Sequence, residues 1–301
     1  MASPPTVSMT LPAAFVEDLR ALLKPFARSY GVVSISNTRK MLGRVARAVY
    51  IVPLERPFAA SLWAAAAAAE RIADTGRLEA APGHYPARRF GVAAAWFLAL
   101  LDPHAAQSAE FITLERKVTP SKFLSTSLMA RLSIVFDASP WGGGAILLAS
   151  GIVTEYVSFA WEQELADKFD LKIGQSSGQS FWESLTVLVS LVLWLEESSE
   201  DAVAIIGDNV GALTAALQCR AKGKVNAVAR ELAWRTAKYR WRVLVGHLPS
   251  EANAAADALS RTKAPAGGCK PFPASVLSAA RRRQPPNLLS LWKAVPEARV
   301  C

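Results

Sequence analysis

The stretch LSIVFDASPWGGGAILLASGIVTEYVSFAW, residues 132–161, decides how the rest of the chain is read. It contains three apolar runs of strand length, Leu132–Asp137, Gly142–Leu148 and Ile152–Trp161. Gly142-Gly143-Gly144 and Ser150-Gly151 supply the turns between them. Working toward the C-terminus, residues 162–178 read as loop and Ser180–Glu196 as a strongly apolar helix. Ala202–Gly207 is a fourth strand, Asn209–Cys219 and Val225–Tyr239 are helices, and Trp241–Gly246 is a fifth strand. A short helix from about Glu251 to Ser260 closes the unit. Consecutive strands followed by alternating helices and strands predict an α/β domain over 130–262, with a mixed five-stranded sheet flanked by helices.

Within that domain four acids stand alone in apolar surroundings. Asp137 ends the strand Ile134-Val135-Phe136, and Glu183 lies inside the helix segment Phe181-Trp182-Glu183-Ser184-Leu185. Asp208 directly follows Val203–Gly207, and Asp257 sits among Ala254, Ala255, Ala256 and Ala258. Any one of these taken singly reads as a solvated cap or helix-face residue. Four buried carboxylates become tenable together if folding makes them converge on shared divalent cations. Magnesium suits such a lining because it takes oxygen ligands and keeps waters. Two ions in one site can activate a water and stabilise the departing oxygen of a phosphodiester.

The order of these acids resembles the ribonuclease H domain of retroelement reverse transcriptases. Phe136-Asp137-Ala138-Ser139 with Trp141–Ala145 is similar to that family's first strand and hairpin. Trp182-Glu183 is similar to its first helix, and Gly207-Asp208-Asn209 to its third acid at a strand-to-helix junction. His247-Leu248-Pro249-Ser250 with Asn253, then Ala256–Arg261, resembles its closing motif, with His247 ten residues and Asn253 four residues before Asp257. The resemblance implies a ribonuclease H-like fold and an endonuclease that hydrolyses the RNA strand of RNA–DNA hybrids. It further implies that Asp137, Glu183, Asp208 and Asp257 hold two Mg2+ ions, for which Mn2+ would substitute. His247, on a loop before the last helix, would assist product release or proton transfer. Asn209 and Asn253 would contact nucleic acid, although Asn253 serves equally well as a helix cap. The competing reading is a decayed or domesticated module that keeps the fold and binds nucleic acid without cutting it.

Between Arg220 and Arg242 there are eight Lys or Arg residues and one acid, Glu231. Arg220, Lys222, Lys224, Arg235 and Lys238 are expected to track phosphates, since acids that would neutralise them are missing nearby. The interleaved Trp234, Tyr239 and Trp241 read as core aromatics. The net charge of +9 fits a polyanionic partner.

Residues 1–125 read as mainly helical. Expected helices cover Phe15–Ala27 and Asn37–Tyr50, the latter capped by Asn37 and ended by Val52-Pro53. Another is opened by Pro57, and a fourth runs to about Leu101. Leu42–Ala46, Ile51–Leu54, Arg56-Pro57-Phe58 and Leu62-Trp63 resemble the thumb or connection region that precedes ribonuclease H in reverse transcriptases. No Tyr-x-Asp-Asp segment is present, so the nucleotide-adding site is missing. The resemblance therefore implies the back end of a reverse transcriptase, with the remainder of a retroelement polyprotein as a partner. Residues 263–301 are rich in Pro, Gly and Arg and read as a mostly extended tail.

At 51% hydrophobic and 20% charged residues the chain is too apolar for disorder. The apolar runs Gly91–Leu101 and Leu185–Leu195 are short for a bilayer, and no basic-then-apolar leader is visible, so an intracellular setting without membrane contact is expected. Cys219, Cys269 and Cys301 have neither zinc nor disulfide spacing.

Overall fold

The computed structural model describes residues 7–75, 80–102, 115–118, 130–196, 202–239 and 241–293. The chain divides into two compact units, one formed by Met1–Leu128 with Lys293–Cys301, the other by Met129–Trp292.

In the first unit, strands β1 (Val7–Thr10) and β4 (Glu115–Val118) pair antiparallel, as do β2 (Val32–Ser34) and β3 (His84–Pro86). Among the described residues, four helices form its core: α1 (Ala13–Leu23), α2 (Ile35–Ile51), α3 (Arg56–Asp74) and α4 (Gly91–Leu100). Helix α2 buries Met41, Leu42, Val45 and Ala48, a spacing that keeps one face toward its neighbours. Its cap is Ser34, whose Oγ accepts from the Asn37 N–H, so the cap lies three residues before the position expected from sequence. Between α3 and α4 the described residues form β3 and a short 3-10 turn at Ala87–Arg89. Pairing of β3 with β2 explains why Tyr85 and Pro86 are buried there.

The second unit is an α/β domain around a mixed six-stranded sheet. Its strands are β5 (Leu132–Ser139), β6 (Gly142–Ala149), β7 (Ile152–Ala160), β8 (Ala202–Gly207), β9 (Arg242–His247) and β10 (Arg281–Arg282), in the order β10-β7-β6-β5-β8-β9. β5, β6 and β7 run antiparallel in turn, whereas β8 and β9 are parallel to β5. The helices are α5 (Gln163–Lys168), α6 (Gln179–Leu195), α7 (Val210–Gln218), α8 (Val225–Tyr239), α9 (Ala254–Ser260) and α10 (Ala274–Leu277). α5 occupies part of the expected 162–178 loop, where Leu165 and Ala166 are buried against the core.

The sheet has six strands rather than five because the tail contributes β10, parallel to the β7 edge. The unit therefore reaches beyond residue 262 to Trp292, with Leu288 and Leu291 buried in the main core. Helix α6 is almost wholly buried, its polar Glu183, Ser184, Thr186 and Ser190 included, which makes it the central helix of the layer. Ser176–Leu195 is the only described segment long and apolar enough to cross a membrane, and most of it is buried inside this unit.

The glycine run also has a different role from turn formation, since Gly142, Gly143 and Gly144 are all strand residues of β6. A Cβ on Gly143 would meet Thr186 of α6 and the Phe159 ring. One on Gly144 would meet Ser260 N at 2.5 Å and Ala256 O at 2.7 Å, both in α9. Successive strand residues face opposite sides of a sheet, so α6 and α9 cover opposite faces of β6. Asp137 pairs directly with Gly144 and shares its face, which brings α9 against the carboxylate.

Candidate metal centre

Three parallel strands end side by side, and each end carries one of the expected site residues. Asp137 lies near the end of β5, Asp208 follows β8, and His247 ends β9 in register with Gly207. The carboxyl ends of parallel strands are where open α/β sheets receive ligands. Helix α6 passes this end of the sheet: Gln179 Nε2 donates to the Ala138 carbonyl, and Glu183 also meets the Ala138 backbone.

The structure brings Asp137, Glu183 and Asp208 together. One ligand atom from each lies within 4.8 Å of the others, so the three could hold one metal ion. Asp137 and Glu183 are buried, and Asp208 is half-buried. Each acid has one oxygen fixed by a neutral donor. Ser260 Oγ donates to Asp137 Oδ2 at 2.7 Å, Ser250 Oγ to Asp208 Oδ2 at 2.7 Å, and Gln179 Nε2 to Glu183 Oε1 at 2.9 Å. Glu183 Oε2 is buried with no hydrogen-bond partner. A buried acceptor without a partner is costly, and a hard cation is the kind of group that would satisfy it.

Electrostatics describe the same deficit. Burial, opposed by the Ser260 hydrogen bond and reinforced by the neighbouring acids, raises Asp137 from 3.8 to about 7. Burial and the adjacent Asp137 raise Glu183 from 4.5 to about 9. Without a cation the cluster therefore retains protons near neutrality. A divalent ion would have to displace them, so its binding releases protons and strengthens as pH rises.

Asp257 stands apart from this group. Arg261 Nε pairs with its Oδ1, and Lys270 Nζ pairs with its Oδ2. Burial pushes Asp257 up, but the Lys270 and Arg261 hydrogen bonds and charges outweigh it, so the net shift is downward. The expected four-carboxylate set is thus three acids gathered as possible ligands and a fourth already occupied by two cationic side chains.

The other expected site residues separate by burial. His247 is exposed at the end of β9, on a strand rather than on a loop. Asn253 is buried, and its Nδ2 donates to the Phe136 carbonyl at 2.9 Å. It ties α9 to β5, which corrects its assignment to nucleic-acid contact; its side chain caps no helix either. Asn209 is half-buried, and its Oδ1 caps α7 by accepting from Ala212 N. Arg235 is fully buried, paired with Glu196 at 3.2 Å and Glu231 at 3.8 Å while donating to the Leu291 carbonyl. It is an internal strut and not a phosphate contact. Lys224 pairs with Asp170 at 3.0 Å. Acids distant in sequence thus supply counter-charges that the local composition lacked. Arg220 and Lys222 are exposed, and Lys238 is half-buried with its Nζ 4.7 Å from the Trp234 ring centroid. Trp234 and Trp241 are buried and Tyr239 stacks on Trp241, in line with the core reading of these aromatics.

Sequence reasoning missed Ser250, Ser260, Gln179 and Lys270. Gln179 had a legible signal, since it lies one helical turn before Glu183, whereas Ser260 reaches Asp137 from a distant part of the chain. Lys270 had none.

Compared with known protein families, characterised proteins and solved structures, the chain finds no match.

Proposed function

We propose that residues 129–292 form a ribonuclease H-type domain that hydrolyses the RNA strand of RNA–DNA hybrids with a divalent cation, magnesium by preference. The observation that carries this reading is the meeting of Asp137, Glu183 and Asp208 at the ends of adjacent parallel strands, with a buried Glu183 oxygen left unpartnered. The order of these acids along the chain and the His247–Arg261 segment resemble that family.

The carboxylates of Asp137, Glu183 and Asp208 would hold the cation, which supplies Lewis-acid stabilisation of phosphate charge and lowers the pKa of a coordinated water. The chain's own contribution is positional. Ser260, Ser250 and Gln179 each fix one carboxylate oxygen, so the free oxygens need little reorganisation. In the proposed reaction a water oxygen bonds to phosphorus and gives up one proton to bulk water while the P–O3′ bond breaks, leaving a 5′-phosphate and a 3′-hydroxyl. His247, beside Gly207 and exposed, would carry the proton that the 3′ oxygen gains. Arg220 and Lys222 remain available for phosphates of the hybrid backbone. The chain would act as the back end of a retroelement reverse transcriptase.

A labelled RNA–DNA hybrid incubated with the full chain and Mg2+ tests this. Cleavage of the RNA strand that disappears in Asp137→Asn is expected. An intact hybrid, or cleavage that survives the substitution, removes the reading.

A further inference from the structure

Beyond residue 262 the chain wraps the second unit as a strap that is anchored along its length. Thr262 Oγ1 hydrogen-bonds Ser158 Oγ of β7 at 2.6 Å, and the turn that follows is closed by Cys269 Sγ donating to the Ala264 carbonyl and Gly268 N to the Pro265 carbonyl. Phe272 packs edge-on against Tyr156 with ring centroids 5.8 Å apart, and Leu277 is buried against Ile146 and Leu259. Farther on, β10 pairs with β7, Arg283 pairs with Glu155 at 3.0 Å, and Leu288 and Leu291 enter the main core. Lys270 lies between the first two anchors, so its reach to Asp257 Oδ2 is set by the strap rather than by a free end.

The consequence for the site is specific. Asp137, Glu183 and Asp208 each use one oxygen for a neutral donor. Asp257, close enough to Asp137 to raise its pKa, spends both oxygens on cations carried by the protein. As a half-exposed ion pair, Lys270–Asp257 contributes little to stability. Its effect lies in where the charge is: an ammonium occupies the carboxylate oxygen that a second divalent ion would need.

We propose that Lys270 is a built-in counter-cation for Asp257, so that the site holds a single divalent ion, at Asp137, Glu183 and Asp208, with the strap lysine in place of a second. This rests on the reading of those three acids as a metal site. Lys270 acts as a positioning residue through Asp257 and makes no contact with the reacting atoms. Displacement of the strap, or loss of its charge, opens Asp257 Oδ2 and converts the site to two ions.

The test is a titration of the full chain with Mn2+ alone, counting bound ions by electron paramagnetic resonance and measuring affinities calorimetrically. Wild type and Lys270→Arg, which keeps the charge, are expected to bind one ion. Lys270→Met is expected to bind a second, at least about tenfold more tightly than any second ion in wild type, as removal of a neighbouring positive charge implies. Lys270 is half-exposed, so the substitution leaves the core untouched. Two ions in wild type, or one in Lys270→Met, overturns the proposal while leaving the three-acid site standing. Binding of no ion by any of the three proteins overturns both.

Discussion

Each unit of this protein buries acids, and the two do so in opposite ways. In the first unit Glu55 is a solitary buried carboxyl that accepts a hydrogen bond from Trp96 Nε1, while the Trp96 ring stacks on Phe58 with centroids 3.8 Å apart. Burial raises it from 4.5 to about 7, only partly opposed by the Trp96 bond. In the second unit Asp137, Glu183 and Asp208 converge, and one buried oxygen lacks any partner. A raised pKa is common to both places and identifies neither as a site. Convergence with an unmet acceptor separates three acids that could hold a cation from a carboxyl that a proton and one donor satisfy.

The largest expected difference is in activity. Asp137→Asn removes a ligand from the cluster and should lower hybrid cleavage at least about a hundredfold, the scale for losing a group that stabilises transition-state charge. Glu55→Gln should leave the cleavage rate unchanged. Equal effects in a gel-based cleavage assay would break the comparison.

Next in size is Arg235→Ala, a third kind of buried charge in which the pairing is internal. Glu231 and Glu196 would lose their counter-ion, and unfolding stability should fall by about 3 kcal/mol in a denaturant titration. Salt dependence of hybrid binding should stay as it is, whereas a shallower slope would return Arg235 to the phosphate surface.

The pH dependence of stability sharpens the contrast further. Asp137, Glu183 and Glu55 all have folded pKa values above their ordinary ones, so between about pH 4 and pH 9 the native state binds more protons than the unfolded state. Stability from these groups therefore falls as pH rises through that window. Mg2+ should reverse the loss in the second unit only, with a larger rise in melting temperature at pH 8 than at pH 6. Glu55→Gln should remove part of the pH slope without changing the Mg2+ effect. A Mg2+ shift of equal size at both pH values would count against proton displacement from the cluster.

The smallest effect belongs to the surface. Lys222→Ala should weaken hybrid binding modestly and reduce the slope of log affinity against log salt by about one. An unchanged slope would take Lys222 out of the interface.

Much of the second unit was legible because apolar period and chain punctuation coincide there. Helix α8 begins and ends where the Val225–Tyr239 pattern does, and β8 spans the whole Ala202–Gly207 run. The acids stood out because each interrupts an apolar run. Contacts made at a distance were hidden. Glu196 and Asp170, far along the chain, neutralise Arg235 and Lys224, so the apparent excess of unpaired charge between residues 220 and 242 was partly an effect of sequence neighbourhood. The glycine run looks like a turn in one dimension, and its use in admitting α6 and α9 against β6 emerges only from packing. The strap was hidden most completely, because a Pro- and Gly-rich segment has no periodicity to show that it is anchored or that Lys270 reaches Asp257.

A cation among Asp137, Glu183 and Asp208 is the central expectation, and anomalous scattering from crystals soaked in Mn2+ locates such an ion directly. A manganese peak coordinated by oxygens from all three side chains is expected, lost in crystals of Asp137→Asn. A soak that leaves the three carboxyls without metal, or that places manganese only elsewhere on the protein, would contradict it.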